Sequence, residues 1–291
     1  MTLPDGRKLG YAQYGSPIGK PILYQHGFPG SRIEAAQHHD LGKQLGLRVI
    51  AIDRPGHGWS SPHPGSTLLD WPKDVERLTE HLGLEAYSVL AVSGGGASAL
   101  ACAYRLPPAK LKAVSLGCAM GPPDIGMQGA DIAHRLGWPY GIRFAPYWAG
   151  RMFWRTMAIG RLDLSEEERL EMLLKESRTA PEKDRDIFGD VDLMRLVVRS
   201  NSQAFAQGYE GVWDDGKKSS KPFGFEVKDL RDDLEVQLWY GKKDVFVPPV
   251  HGVQIAARLG GRARLRMEDE SHAGIQIHWR KEILEALRDA M

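Results

Sequence analysis

The stretch from Val89 to Leu100, VLAVSGGGASAL, constrains this chain more than any other. An apolar, β-prone run from Tyr87 to Val92 meets Ser93, then Gly94, Gly95 and Gly96, then a small-residue, helix-prone run from Ala97 to Tyr104. The pattern reads as strand, sharp turn and helix, with a serine at the apex. A turn of this kind lifts a hydroxyl off the strand end, and small neighbours relieve the backbone crowding. The helix starting behind Ser93 aims its N-terminal N–H groups at any oxyanion formed there. Two other readings fit the stretch: a glycine turn with an ordinary serine, and a phosphate-cradling loop. The phosphate loop is the weaker, because the run lacks a closing Gly-Lys-Ser/Thr and follows a late strand.

Around this turn, strands alternate with helices. Asp5-Gly6 marks a hairpin turn that predicts paired strands within residues 1–15. Pro21–Gln25, Leu47–Ile52 and Leu111–Leu116 read as strands, and Asp70–Leu82 as a helix with Asp70 or Ser66 as N-cap. This alternation predicts a mostly parallel sheet covered on both faces, with ligands binding beyond the carboxyl ends of its strands. The loops at His26, Asp53, Ser93 and Gly117 all lie at such ends. After Gly121-Pro-Pro123 the pattern changes to helices without a convincing strand as far as Phe223. Ser165 and Glu168 make a capping box there, Asp190–Val212 reads as one long helical stretch, and Lys217–Pro222 as an exit linker. Strand character returns at Leu234–Tyr240 and Ala263–Met267, with helices at Val250–Leu259 and Ile275–Ala290.

A serine hydroxyl is a poor nucleophile at neutral pH and needs a base, which in turn needs an orienting acid. Of the 10 histidines, His272 alone follows the last predicted strand and opens the loop before the final helix. Asp244 follows the preceding strand in a turn, ahead of Val245-Phe-Val-Pro-Pro249. The plain alternatives are a surface loop histidine and a turn-forming aspartate. Asp269 and Glu270 compete for the acid's role, although closeness to His272 in sequence does not ensure the correct face.

The chain order Ser93, Asp244, His272 resembles the nucleophile–acid–base order of the α/β-hydrolase superfamily. The other matching motifs are His26-Gly-Phe-Pro29, Asp53-Arg-Pro-Gly-His-Gly-Trp-Ser60, Gly241-Lys-Lys-Asp244 and Ser271-His272. The resemblance implies an α/β fold with a catalytic domain from residues 1–121 and 224–291 and a helical cap over 122–223. It also implies an oxyanion hole from the backbone N–H groups of Phe28 and Gly94, with Gly27 and Gly30 letting that loop come close and His26 packed beneath it. The loop from Asp53 to Gly58 is expected to be structural, with Asp53 or Arg54 bonding neighbouring backbone. Two features depart from the pattern. Ala91 replaces the first glycine of G-x-S-x-G, and Gly94–Gly96 would leave the far side of the serine unusually open. The His-Gly-Phe-Pro loop is also similar to that of epoxide hydrolases and haloalkane dehalogenases, which use an aspartate where this chain has Ser93.

The expected function is hydrolysis of an ester, thioester or lactone of a hydrophobic small molecule through an acyl-enzyme, with no metal or organic cofactor. Trp138, Trp148, Phe153, Trp154, Trp213, Met152 and Met157 are candidates for an apolar pocket or for packing inside the cap, with Pro139 and Pro146 shaping its entrance. A cofactor-free lyase, cyclase or C–C bond hydrolase and a non-catalytic ligand receptor are the alternatives on the same fold. With 38 basic and 37 acidic residues, net charge is +1, which points away from nucleic acid and from polybasic membrane binding. No run is long and apolar enough to span a bilayer, and Cys102 and Cys118 read as reduced core residues, so a cytoplasmic setting is expected.

Overall fold

The computed structural model describes every residue except Pro181, and the side chains of Pro139 and Thr179 also lie outside the description. Among the described residues seven strands form one sheet: β1 Tyr11–Gly15, β2 Lys20–Gln25, β3 Leu47–Ile52, β4 Tyr87–Val92, β5 Leu111–Gly117, β6 Glu235–Gly241 and β7 Ala263–Glu268. Their order is β1-β3-β2-β4-β5-β6-β7. Only β1 runs antiparallel to its neighbour.

The period of two along each strand sorts side chains onto opposite faces. Leu23, Ile50, Val89, Ala91, Leu116 and Leu238 pack on one face with the helices Trp71–His81, Gly96–Arg105 and Val250–Arg258. Ile22, Val49, Ala51, Leu90, Val92 and Trp239 pack on the other with the helix Arg280–Asp289. Every residue of β4 is buried, so the strand that leads to Ser93 is held from both sides. Ala91 is fully enclosed in this core and its methyl is accommodated.

Four local expectations are revised. The N-terminal hairpin shrinks to one bridge, Thr2–Lys8, around the Asp5-Gly6 turn, while β1 pairs with β3 and covers what would be an open edge. The predicted helix at Asp70 is preceded by a 3₁₀ turn, Leu68–Asp70, whose capping box uses Thr67 and Asp70 rather than Ser66. The long stretch from Asp190 divides into Val191–Ala204 and Glu210–Ser219, because Gly208 turns through φ +96° and Phe205 and Tyr209 bury their rings against each other. The latter helix includes the start of the supposed exit linker. The terminal helix divides at Trp279, which packs on Trp239, into His272–His278 and Arg280–Asp289.

Between β5 and β6 the described residues contain helices and no strand. Ser165 and Glu168 form the expected capping box. Both cysteines are free and buried. No helix among the described residues is long and apolar enough to cross a membrane.

Candidate active site

Ser93 sits at the end of β4 with φ +67°, a left-handed conformation rare outside glycine and typical of a serine on a strained strand-to-helix turn. The glycines behind it are required by close approach of other backbone. A Cβ on Gly94 would lie 2.4 Å from Phe28 Cβ, one on Gly95 2.5 Å from the Gln25 carbonyl oxygen, and one on Gly96 2.2 Å from the Met120 carbonyl oxygen. The side of the turn expected to be open is therefore filled. Its glycines let β2 and the chain after β5 pack directly on the elbow.

His272 opens its helix beside this turn. Its Nε2 lies 3.1 Å from Ser93 Oγ, and its Nδ1 lies 2.7 Å from Asp244 Oδ2. The other carboxylate oxygen of Asp244 accepts from the Phe246 and Val247 N–H groups at 2.8 and 2.9 Å, which fixes the carboxylate's orientation. With Nδ1–H donating to Asp244, Nε2 is left to accept from the serine hydroxyl. Burial resists charge on the ring, but the Asp244 carboxylate and its hydrogen bond, helped by Asp184 and Glu34, raise the His272 pKa above the ordinary histidine value. The rival carboxylates are engaged elsewhere. Asp269 pairs with Lys183 at 2.8 Å and Lys243 at 3.1 Å, and Glu270 with His278 at 3.1 Å.

Sequence reasoning missed Asp184. This carboxylate is buried on the helix Glu182–Gly189 and accepts a hydrogen bond from Ser271 Oγ. Ser271 Oγ in turn accepts from Gly274 N–H and so caps the helix that begins with His272. The neighbouring Lys183 bonds the backbone carbonyl and the carboxylate of Asp269. Two adjacent residues thus pin this helix to the loop that carries the histidine. No motif marks the contact, because the partners are 87 residues apart. Cys118 is also close, its Sγ within 4.8 Å of ligand atoms of Asp244 and His272. A metal would need the thiolate. Burial and the adjoining Asp244 charge push the thiol's pKa well up, and its S–H is spent on the His272 carbonyl.

The loop after β2 faces Ser93 from the opposite side. Among the described residues, no protein acceptor takes the Phe28 N–H, and a Cβ on Gly94 would lie 3.2 Å from that nitrogen. Phe28 and Gly94 thus approach each other closely beside Ser93. Arg54 holds the loop's shape. Its guanidinium donates to the carbonyls of His26 at 2.6 Å and Gly27 at 3.0 Å and pairs with Asp215 at 3.0 Å. Asp53 accepts from the Arg32 and Trp59 N–H groups, so the loop from Asp53 to Gly58 is built on backbone bonding of the expected kind. His26 is buried beneath its loop, where desolvation and the Arg54 charge lower its pKa well below the usual range. A Cβ on Gly30 would meet Glu34 Oε2 at 2.5 Å and the Gly27 carbonyl oxygen at 3.0 Å, so a side chain there would displace the Glu34 carboxylate. Gly27 would meet only ordinary contacts at 3.6 Å. The Gly27 N–H instead donates to Glu34 at 3.1 Å, and burial raises that carboxyl's pKa.

A cavity of about 260 Å³ opens on Ser93, His272 and Phe28. Its far wall is Ile187, Phe188, Met194 and Val197. None of the tryptophans, Met152 or Met157 lines it, contrary to that part of the expectation. Trp138, Trp154 and Trp213 are buried in packing, whereas Trp148, Met152 and Phe153 face solvent. Pro146 does not border the cavity, and the Pro139 side chain lies outside the described residues.

This arrangement agrees with comparison to known proteins. A family model described as alpha/beta hydrolase fold matches residues 20–276. The chain belongs to that family. A proline iminopeptidase of Xanthomonas citri is 35% identical over 113 residues, which are 37% of this chain and 34% of the relative. A non-heme chloroperoxidase of Streptomyces lividans is 32% identical over 123 residues, 42% of this chain and 45% of the relative. The chain thus spans less than half the length of these curated relatives. A carboxylesterase structure from Nitrososphaera gargenis superposes with a TM-score of 0.66 at 17% identity, covering 98% of this chain and 96% of that one.

Within this alpha/beta hydrolase fold, Arg54 joins the Phe28 loop to the helix Glu210–Ser219 through Asp215. Burial resists ionisation of Asp215, but the Arg54 charge, with the His57 ring 3.5 Å away, holds its carboxyl well below the usual carboxylate range. Asp215→Ala leaves Arg54, whose side chain is 2% exposed, without its counter-ion. We expect a loss of about 3–5 kcal/mol in urea unfolding. Because the folded pKa is depressed, the pair's contribution is present above about pH 3.9 and is lost as pH falls towards the folded value. The variant should lack that part of the wild-type stability decline in acid. An unchanged urea midpoint would show that the pair contributes nothing.

Proposed function

We propose that this protein is a serine hydrolase that cleaves an ester, thioester or lactone carrying a compact apolar acyl group. The observation that carries the reading is the hydrogen-bonded series from Ser93 Oγ through His272 to Asp244, at 3.1 and 2.7 Å, on a serine held at positive φ. Ser93 Oγ attacks the carbonyl carbon while His272 Nε2 takes its proton. Asp244 keeps the ring in the required tautomer and stabilises the imidazolium. The N–H groups of Phe28 and Gly94 hold the oxyanion, each contributing roughly 3 kcal/mol to the lower barrier. His272 then protonates the leaving group. Water activated by the same ring hydrolyses the acyl-enzyme. The mechanism draws on no metal or organic cofactor.

In this reading residues 122–223 form a cap on the domain made by 1–121 and 224–291, and the helices that carry Ile187–Val197 close the acyl site. The curated relatives carry the names of a peptidase and a peroxidase, and each matches over less than half its length. Substrate class therefore rests on the cavity. At about 260 Å³ with a largely apolar lining, it suits a compact acyl chain better than a peptide or a polysaccharide.

A fluorophosphonate probe should add once to the wild type and not to Ser93→Ala, as read by intact-protein mass. Labelling of a folded Ser93→Ala protein would remove the serine from this role. In a panel of p-nitrophenyl esters, butyrate and hexanoate should exceed a charged succinyl ester in kcat/KM by at least tenfold, since each buried methylene gains about 0.8 kcal/mol. Equal rates across the panel would count against an apolar acyl site. His272 must be neutral to accept the proton, so kcat/KM should fall in acid with a midpoint above about 6.5. Asp184→Asn removes a negative charge that favours the protonated ring, and the midpoint should move to lower pH. An unmoved midpoint would mean that Asp184 has only a packing role.

A further inference from the structure

We propose that the segment from Ile132 to Met157 is a docking surface for an anionic lipid interface. The segment exposes an unusual density of large apolar side chains. Leu136 is 63% exposed, Phe144 70%, Trp148 64% and Met152 63%, and Ile132 and Tyr140 are likewise at the surface. Trp148 and Met152 share one face of the helix Tyr147–Trp154, four residues apart. Large apolar side chains gathered on one exposed segment point to an interaction site when they form a contiguous patch.

Charge selects the occupant. Between Asp131 and Asp163 the chain has five arginines and no acidic residue. Arg161 is paired with Asp163, and Asp131 with His134. Among the described residues Arg135, Arg143, Arg151 and Arg155 have no carboxylate partner, and all four are exposed. A second copy of the chain is a poor fit. A twofold contact would set these unpaired guanidinium groups against their own images. An anionic bilayer surface fits both components, since aromatic rings and aliphatic tips enter the headgroup boundary while arginines meet lipid phosphates. The overall net charge of +1 conceals this concentration, because acidic residues elsewhere balance it.

The surface also has a direct connection to the cavity. Trp138 and Trp154, on the same segment, pack on the Phe28 ring at 5.8 Å each. Phe28 borders the cavity beside Ser93.

The test is co-sedimentation of the full-length protein with vesicles of phosphatidylcholine alone and of phosphatidylcholine with phosphatidylserine at three to one. Binding to the anionic vesicles only, weakening with added salt, is the expected result. Arg143→Gln and Arg151→Gln should each lower the partition coefficient roughly fivefold, from about 1 kcal/mol per basic residue near the surface. Trp148→Ser, checked for folding by circular dichroism, should also weaken binding. Absence of sedimentation with anionic vesicles would overturn the proposal, as would equal sedimentation with both compositions. A dimer in analytical ultracentrifugation that Trp148→Ser converts to monomer, without vesicle binding, would assign the surface to a second copy. The readout is binding, so it stands apart from the fate of the proposed hydrolysis.

Discussion

The Arg54 guanidinium is buried at the meeting of three chain segments, and the geometry around Ser93 depends on what it holds. Two of its N–H groups hold the carbonyls of His26 and Gly27, and a third is paired with Asp215 from beyond β5. With the Gly27 carbonyl turned toward Arg54, the Phe28 N–H of the same planar trans peptide points the opposite way, away from the guanidinium. On the other side the glycines after Ser93 admit the backbone of β2 and of the chain after β5 to distances that any side chain would forbid. The proposed oxyanion role of the Phe28 N–H requires a loop held in one shape. Here its shape is set by a charge network on one side and by backbone contact on the other.

The histidine is held on the same plan, by groups other than its obvious partner. Asp244 is oriented by two backbone N–H groups, and the helix that begins at His272 is capped by Ser271. Ser271 is bonded to Asp184, which the long connection between β5 and β6 brings down to the end of β7. That connection therefore contributes twice to the site, through Asp215 to the Phe28 loop and through Asp184 to the His272 loop. It also supplies the apolar wall of the cavity. Its outer surface has a separate character, aromatic and basic, which suits an interface with anionic lipid.

Much of the frame was legible in the chain. Apolar runs ending in glycine-rich loops identified the parallel strands, and the position of each loop at a carboxyl end brought Ser93, Asp244 and His272 onto one edge. The choice of Asp244 over Asp269 and Glu270 could be made on strand order, and in the structure only Asp244 reaches the ring. Less legible were features set by long-range packing. The break at Trp279 follows from a ring finding its partner, about which local propensity is silent, and the break near Gly208 combines a local glycine turn with the packing of Phe205 on Tyr209. The tryptophans drew attention to the wrong wall of the cavity, because hydrophobicity shows that a side chain can be buried and not against what.

The sequence by itself determined the alternation of strands and helices, the serine turn and the edge of the sheet where polar residues gather. These are properties of neighbours along the chain, governed by backbone sterics and the periods of strand and helix. Only the tertiary structure decided that Gly94–Gly96 are contact points rather than open space, that Asp184 and Asp215 reach back to the site, and that Ile187, Phe188, Met194 and Val197 line the cavity. Each of these depends on groups far apart in the chain meeting within a few ångströms. Such meetings depend on the close packing of the whole domain, which no local pattern encodes.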